Sequence, residues 1–504
     1  MAAKTFIVER DTAERERLNA LVSKRKAPAK SILKARDNHN VMANWVKANW
    51  HFPTTNARVK LRSELRSKTL PFAVDADIAV RIPLARAKRP MMSKSDDHAR
   101  HLEALAEVAV KVGLGLKAGQ AVIMTAPIEG ADLARLVAKY AYKAGASLVT
   151  TIYEDDQLAL ARYENARDHS FDHAAGWLYD GMGKAYGEGA ARLAIRGGNP
   201  SLLAGQNPDR IARANRALSK AYQPALEKIT GFDINWTLLP YASPAWATAV
   251  FPKLSEKKAV EKLWDAIFQA TRTDVEDPIA NWKAHNKDLA KRTAHLNKKN
   301  FHSLHFKGPG TDLKVGLADD HEWCGGAATA KNGVTCNANI PTEEVFTTPH
   351  KSRVEGHVSA TKPLSYMGTL IEDIHVRFEG GRIVDAKAKA GGNVLGKVLD
   401  TDEGARRLGE VALVPHSSPI SKSGMLFYNT LFDENASCHI ALGQAYAKCF
   451  KGGTSMSEKD LSQRGANRSL IHIDWMIGSD KVDIDGLNAA GKAEPLMRKG
   501  EWVK

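Results

Sequence analysis

Leu431-Phe-Asp-Glu-Asn-Ala-Ser-Cys-His-Ile-Ala-Leu-Gly-Gln-Ala-Tyr446 joins an acidic cluster, a histidine and a tyrosine in one run. How it folds decides where those groups can act. From Asn435 the stretch lacks proline, carries small and straight-chain residues, and continues as Ala-Lys-Cys-Phe450, a composition that predicts a helix over 435–450. Asp433, Glu434 and Asn435 supply a cap and a charge suited to the helix dipole. His439 and Tyr446 are seven residues apart, so a helix places them on one face. Such a pair suits a metal ligand with a polarising hydroxyl beside it. Taken alone, it reads first as a core histidine and a core tyrosine. The rest of the chain decides.

The chain has 504 residues, enough for two or three domains with sizeable cores. Its 43 % hydrophobic and 26 % charged residues match a soluble globular protein. No uninterrupted apolar run reaches the ~18 residues of a membrane helix, so no membrane association is expected. The opening ten residues lack the apolar segment of a secretory signal, and Glu9, Asp11, Glu14 and Glu16 come too early for an organelle presequence. Cys324, Cys336, Cys438 and Cys449 form no CxxC pair; they read as reduced thiols, and a cytoplasmic location is expected.

The net charge is +15, but residues 1–90 hold 20 Lys/Arg against 8 Asp/Glu and so account for +12 of it. The basicity belongs to a leader over 1–94, expected to be a disordered arm or a mis-assigned extension. Nucleic acid is not the expected partner, because Trp45 and Trp50 are too few to form a stacking platform for bases. Met91-Met-Ser-Lys-Ser-Asp-Asp97 has the look of an internal start just ahead of an amphipathic helix.

From His98 the pattern alternates. Helices are predicted over 101–112, 131–143 and 173–186, and short apolar strands over 119–127, 147–153, 191–198 and 236–239. Alternation of this kind argues for an α/β domain with a largely parallel sheet, placed over 95–295 and ending at the basic run Lys291–Lys299. No GxGxxG follows any of these strands, so a dinucleotide fold has no support. Beyond it, Phe301–Phe306 and Leu313–Leu317 flank the tight turn Gly308-Pro-Gly-Thr-Asp312, and strands follow at 352–360, 370–378 and 382–388. The region 296–504 therefore reads as a sheet-rich α+β domain with helices over 403–412 and 435–450. The fold class is α/β plus α+β.

Four segments of that second domain carry acids and histidines. They are Asn339-Ile-Pro-Thr-Glu-Glu-Val-Phe-Thr-Thr-Pro349, the 403–413 segment with Glu410, the opening stretch, and Ser469-Leu-Ile-His-Ile-Asp-Trp-Met-Ile-Gly478. Strict alternation in the last puts His472 and Asp474 on one face of a strand, with Ile471, Ile473 and Trp475 on the other. Three carboxylates and two imidazoles suit a pair of divalent ions, and the lack of thiolates argues against structural zinc. Two ions ~3.5–4 Å apart can share a hydroxide and polarise a carbonyl, and a phenol can hydrogen-bond the oxyanion that develops.

These segments, NIPTEEVFTTPH (339–350), GARRLGEVALV (404–414), NTLFDENASCHIALGQAY (429–446) and SLIHIDWMIG (469–478), closely resemble the M29 family of dinuclear metalloaminopeptidases. Glu103–Gly119, Trp236–Phe251 and GPGTDL at 308–313 resemble it too, so the likeness runs from about His98 to the C-terminus. The resemblance implies Glu344, Glu410, His439, His472 and Asp474 as metal ligands and Tyr446 as the catalytic tyrosine. Glu344 is chosen over Glu343 because it directly precedes Val-Phe-Thr, and Glu410 is the candidate bridging carboxylate that handles the water proton. It further implies two divalent ions (zinc, cobalt or magnesium), a homodimer with enclosed active sites, and short peptides as substrates. A second resemblance, to ring-cleaving dioxygenases with a single iron, gives the alternative activity. His350 reads as a turn residue, His375 as the exposed face of a strand, Cys438 as a packing thiol and Glu434 as a helix-start residue. Trp323 and Trp475 read as core or as pocket wall. A product starting at Met91 or Met92 is checked by the intact mass of the native protein, since a species near 55.0 kDa contradicts it.

Overall fold

The computed structural model describes residues 94–503, apart from 367 and 368. The expectations placed on the basic leader and on Met91 lie outside the described residues. Four parallel strands, β1 (Ala121–Pro127), β2 (Leu148–Glu154), β3 (Ala191–Arg196) and β4 (Trp236–Pro240), form a sheet in the order β2-β1-β3-β4. The strands are short apolar runs and β1 and β3 are buried almost throughout, as strands covered on both faces must be. The helix Ala131–Lys143 turns Leu133, Ala134, Val137 and Ala141 into the core, a spacing that follows the helical repeat. Helices Lys94–Val108, Gly176–Gly187, Pro208–Thr230, Glu256–Ala270 and Pro278–Lys299 belong to the same region, and the Lys291–Lys299 run forms the last turns of Pro278–Lys299.

The chain then becomes antiparallel. β5 (Ser303–Gly308) and β6 (Thr311–Leu317) make the expected hairpin, followed by the short pair β7 (Ala328–Thr329) and β8 (Thr335–Cys336). Next come β9 (Val345–Thr347), β10 (Pro349–Ser359), the small hairpin β11 (Leu364–Tyr366) and β12 (Thr369–Ile371), β13 (His375–Glu379) and β14 (Arg382–Lys387). The last strands are β15 (Leu408–Leu413), β16 (His439–Gly443), β17 (His472–Met476), β18 (Asp483–Leu487), β19 (Ala493–Arg498) and β20 (Glu501–Trp502). Eight of them form one sheet in the order β14-β13-β10-β6-β5-β18-β19-β20, and a second sheet has the order β17-β16-β15-β9. The protein is thus mixed α/β, with one parallel sheet and antiparallel sheets.

Two expected helices are strands. Residues 403–412 make only a 3-10 turn at Glu403–Arg406 before β15, and 435–450 contains β16 between two 3-10 turns, Glu434–Ala436 and Ala447–Cys449. Every residue of β15 and β16 is buried, on both faces of the sheet. A strand buried on both faces loses the apolar–polar alternation that distinguishes it from a helix, and tertiary pairing then decides its conformation. β16 is paired on both edges, to β15 and to β17, so its backbone groups are satisfied by the ladder. It ends at Gly443, whose φ is +98°, and where a Cβ would stand 2.1 Å from the Ile471 carbonyl oxygen. Gly443→Ala is therefore expected to lower unfolding free energy by ~1–3 kcal/mol in a denaturant titration; unchanged stability contradicts the close approach.

Candidate metal centre

The register of the four-stranded sheet sorts its side chains into two faces. Val345, Val411, Leu413, Ile440, Leu442 and Trp475 pack on one side into the second apolar core. The alternate positions, Glu410, Ala412, His439, Ala441, His472 and Asp474, share the opposite face. Glu410 lies opposite Ala441, and Ala441 opposite Asp474, so a methyl group separates two carboxylates and leaves the space above it open. Glu344 enters from the residue just before β9, whose Phe346 pairs with Ala412.

The five expected ligands converge. His439 Nε2 stands 3.2 Å from Glu344 Oε2, 3.5 Å from Glu410 Oε1 and 4.0 Å from Asp474 Oδ1. His472 Nε2 is 3.5 Å from Asp474 Oδ1 and 3.9 Å from Glu410 Oε2. Glu344, Glu410 and His439 are buried and offer donor atoms all within 4.8 Å of one another. Glu410 faces both imidazoles. Tyr446 is brought in by the chain after Gly443, with its ring 4.6 Å from that of His472. His439 and Tyr446 share the site without sharing a helix.

The donor atoms fit a cation. His439 Nδ1 lies 3.2 Å from the Ser437 carbonyl oxygen and His472 Nδ1 2.8 Å from that of Gln444. Donation of each Nδ1–H to a carbonyl leaves the Nε2 lone pair facing the cluster, the tautomer a metal ligand requires. Glu344 Oε2, His439 Nε2 and Asp474 Oδ1 are buried and satisfied by no hydrogen bond among the described residues. Buried acceptors left facing one another are costly unless a proton or a cation lies between them.

Protons can play that part. Burial opposes charge on His439, but the Glu344 and Glu410 carboxylates outweigh it and raise the imidazole well above its usual range. Burial likewise opposes charge on His472, and Asp474 and Glu410 raise it to about 9. Glu410 is pushed up by burial and then by Glu344 and Asp474. Burial also works against the Asp474 carboxylate, yet His472 and His439 bring it below its ordinary value. Burial and the surrounding carboxylates keep the Tyr446 phenol protonated, a hydrogen-bond donor.

A family profile described as Thermophilic metalloprotease (M29) matches residues 98–502. The chain belongs to the M29 metalloprotease family. It is 56 % identical over 408 residues to aminopeptidase T of Thermus thermophilus, a match covering 81 % of this chain and 100 % of the relative. Identity to aminopeptidase AmpS of Bacillus subtilis is 44 % over 408 residues, again 81 % and 100 % of the two chains. The solved structure of wild-type AmpT from Thermus thermophilus superposes with a TM-score of 0.77 at 55 % identity, covering 81 % of this chain and 100 % of that one. Membership in this family of metalloproteases makes the chain a hydrolase that uses divalent metal; the ring-cleaving dioxygenase alternative has no support among these relatives. Among the described residues no helix is long and apolar enough to cross a membrane.

Glu434, read from the sequence as a helix-start residue, begins a 3-10 turn near these ligand candidates. It is partly buried, and its carboxyl group receives Asn435 Nδ2 at 3.4 Å and Asn339 Nδ2 at 3.5 Å. Burial, then the charges of Glu344 and Asp474, raise its pKa well above the usual value. The neighbouring Asp433 is buried, accepting Phe427 N–H at 2.8 Å and Asn429 N–H at 3.0 Å. Lys448 lies over the rings of Phe346 and Tyr446, 4.7 and 5.6 Å from their centroids, and braces the tyrosine. His350 belongs to β10 and not to a turn, Cys438 is a buried packing thiol, and Trp323 and Trp475 are core. His375, half-buried on β13, has its Nδ1 2.9 Å from Ser359 Oγ.

A pH dependence follows. The raised pKa of His472 stabilises the cation-free fold fully below about 6.5, and that stabilisation is lost as pH rises through about 9. Thermal unfolding in chelator should show Tm falling across this window, with excess zinc suppressing the fall. A Tm that rises across it contradicts the arrangement.

Proposed function

We propose that this chain is an aminopeptidase that removes N-terminal residues from peptides, using two divalent cations held by Glu344, Glu410, His439, His472 and Asp474. The observation carrying this reading is the convergence of buried acceptor atoms without hydrogen-bond partners onto one point of the sheet, with both imidazoles aimed there by their own carbonyl contacts. The named activities of the M29 relatives agree with it. The nitrogen and oxygen donor set accommodates zinc, cobalt or magnesium. The match spans the full length of these relatives, and we include a homodimer, short peptide substrates and a cytoplasmic location in this reading.

Bound there, divalent cations supply Lewis acidity, polarising the scissile carbonyl and lowering the pKa of water toward neutrality. Glu410, whose two oxygens face the two imidazoles, would help hold the cations and takes the proton of the attacking water. Tyr446, a protonated phenol against His472, donates a hydrogen bond to the oxyanion that forms from the carbonyl. Glu434, held protonated near the ligands by its raised pKa, returns a proton to the departing amine. Phe346 and Ala412 pack together with Cys449 and the partly buried Tyr446, lining this face of the sheet with apolar surface.

Chelation should abolish hydrolysis of aminoacyl-p-nitroanilides, and zinc, cobalt or magnesium should restore it. One iron per chain without amide hydrolysis would overturn the proposal. Tyr446→Phe is expected to lower kcat by roughly 10²–10³ with metal content intact, as for loss of one oxyanion donor. Glu434→Gln should lower kcat by ~10²–10⁴ at unchanged metal content; loss of a metal equivalent would make Glu434 a ligand instead.

A further inference from the structure

Glu344 comes from a segment with little regular structure. The chain runs from β8 through residues 337–344 before entering β9. What fixes it lies largely in the helical layer. Leu238 of β4 bridges to Asn339, and the amides of Asn337 and Asn286 bond reciprocally at 2.9 Å. One turn before Asn286's own, the helix Pro278–Lys299 presents Trp282; beside Asn286 it presents His285, whose Nε2 lies 2.7 Å from the Thr342 carbonyl oxygen. The strongest contact belongs to Glu343. Arg272 grips its carboxylate through its two terminal nitrogens, Nη1 to Oε1 at 2.5 Å and Nη2 to Oε2 at 2.9 Å, and the two side chains are only 14 % and 4 % exposed.

Each partner of this pair is itself held. Arg272 occupies the turn between the helices Glu256–Ala270 and Pro278–Lys299 with φ +56°, and its guanidinium lies 5.7 Å from the centroid of the Trp282 ring. Trp282 in turn donates Nε1–H to the Thr271 carbonyl at 2.8 Å. The Glu343 backbone N–H donates to Asn435 Oδ1 at 2.7 Å, so the same residue is tied to the segment between Glu434 and His439. A buried ion pair contributes little net stability against an apolar replacement, because desolvation offsets the attraction. Its two parallel hydrogen bonds instead fix an orientation.

We propose that Arg272 and Glu343 are positioning residues for Glu344, clamping the backbone of 342–344 so that the next carboxylate is presented to the metal. The inference rests on the reading of Glu344 as a ligand. Metal sites need their ligands fixed within about 0.5 Å, and loss of a supporting partner typically costs 10–100-fold in metal affinity.

The test is titration of the metal-free full chain with Co²⁺, recording affinity and the visible absorption spectrum, alongside Tm. Arg272→Met should weaken Co²⁺ binding by roughly 10–100-fold, and Arg272→Lys by an intermediate factor, because an ammonium cannot make the paired bonds. Glu343→Gln should also weaken it and alter the spectrum. If Arg272→Met does not fold, Arg272→Lys and Glu343→Gln decide. Folded variants with lowered Tm but wild-type Co²⁺ affinity and spectrum would overturn the proposal, leaving the pair merely structural. Glu344→Gln separates the two levels of the argument: binding lost there but kept in the Arg272 and Glu343 variants defeats the clamp alone. A wild-type chain that binds no Co²⁺ defeats the ligand assignment and the clamp together.

Discussion

Mutual repulsion among Glu344, Glu410 and Asp474, buried on one face of a sheet, is the constraint around which this half of the molecule is arranged. Like charges a few ångströms apart in a low-dielectric site cannot all remain ionised without positive charge between them. The two imidazoles supply some of it, and that is why burial fails to keep His439 and His472 neutral in the cation-free chain.

The fold supports this charge by giving the sheet two different faces. Ile440, Leu442, Val411 and Trp475 anchor the far side in an apolar core, so β15, β16 and β17 are rigid under their polar residues. Ala441 and Ala412 are small where the ligands need room. The segment ahead of β16 is fastened elsewhere: Trp246 Nε1–H donates to the Phe427 carbonyl at 2.5 Å, and Phe427 and Phe432 stack at 4.6 Å within the first core. The helical layer therefore positions the Glu344 loop and the approach to His439 while the sheet positions the rest.

The sequence was most legible where burial is one-sided. His472-Ile-Asp-Trp-Met476 alternates because one face is polar and one apolar, and both its conformation and its chemistry could be read directly. The parallel sheet was legible for a different reason: its short apolar strands are separated by helices with a clear apolar stripe. β15 and β16 were misread because both of their faces are buried, and His-Ile-Ala-Leu-Gly has no period to distinguish strand from helix. The acidic start of that stretch looked like a helix cap, while in the fold Asp433 closes a local turn and Glu434 begins a 3-10 turn within electrostatic reach of Glu344 and Asp474. Its only signal was its place five residues before His439 in the same stretch. The ligand residues survived the error because the resemblance that named them depends on order and identity, not on conformation.

Anomalous diffraction from crystals of the full chain grown with zinc addresses the central claim most directly. The account predicts two peaks ~3.5–4 Å apart, with Glu410 between them, one against Glu344 and His439 and the other against His472 and Asp474. A single peak, or zinc bound away from these side chains, would contradict it.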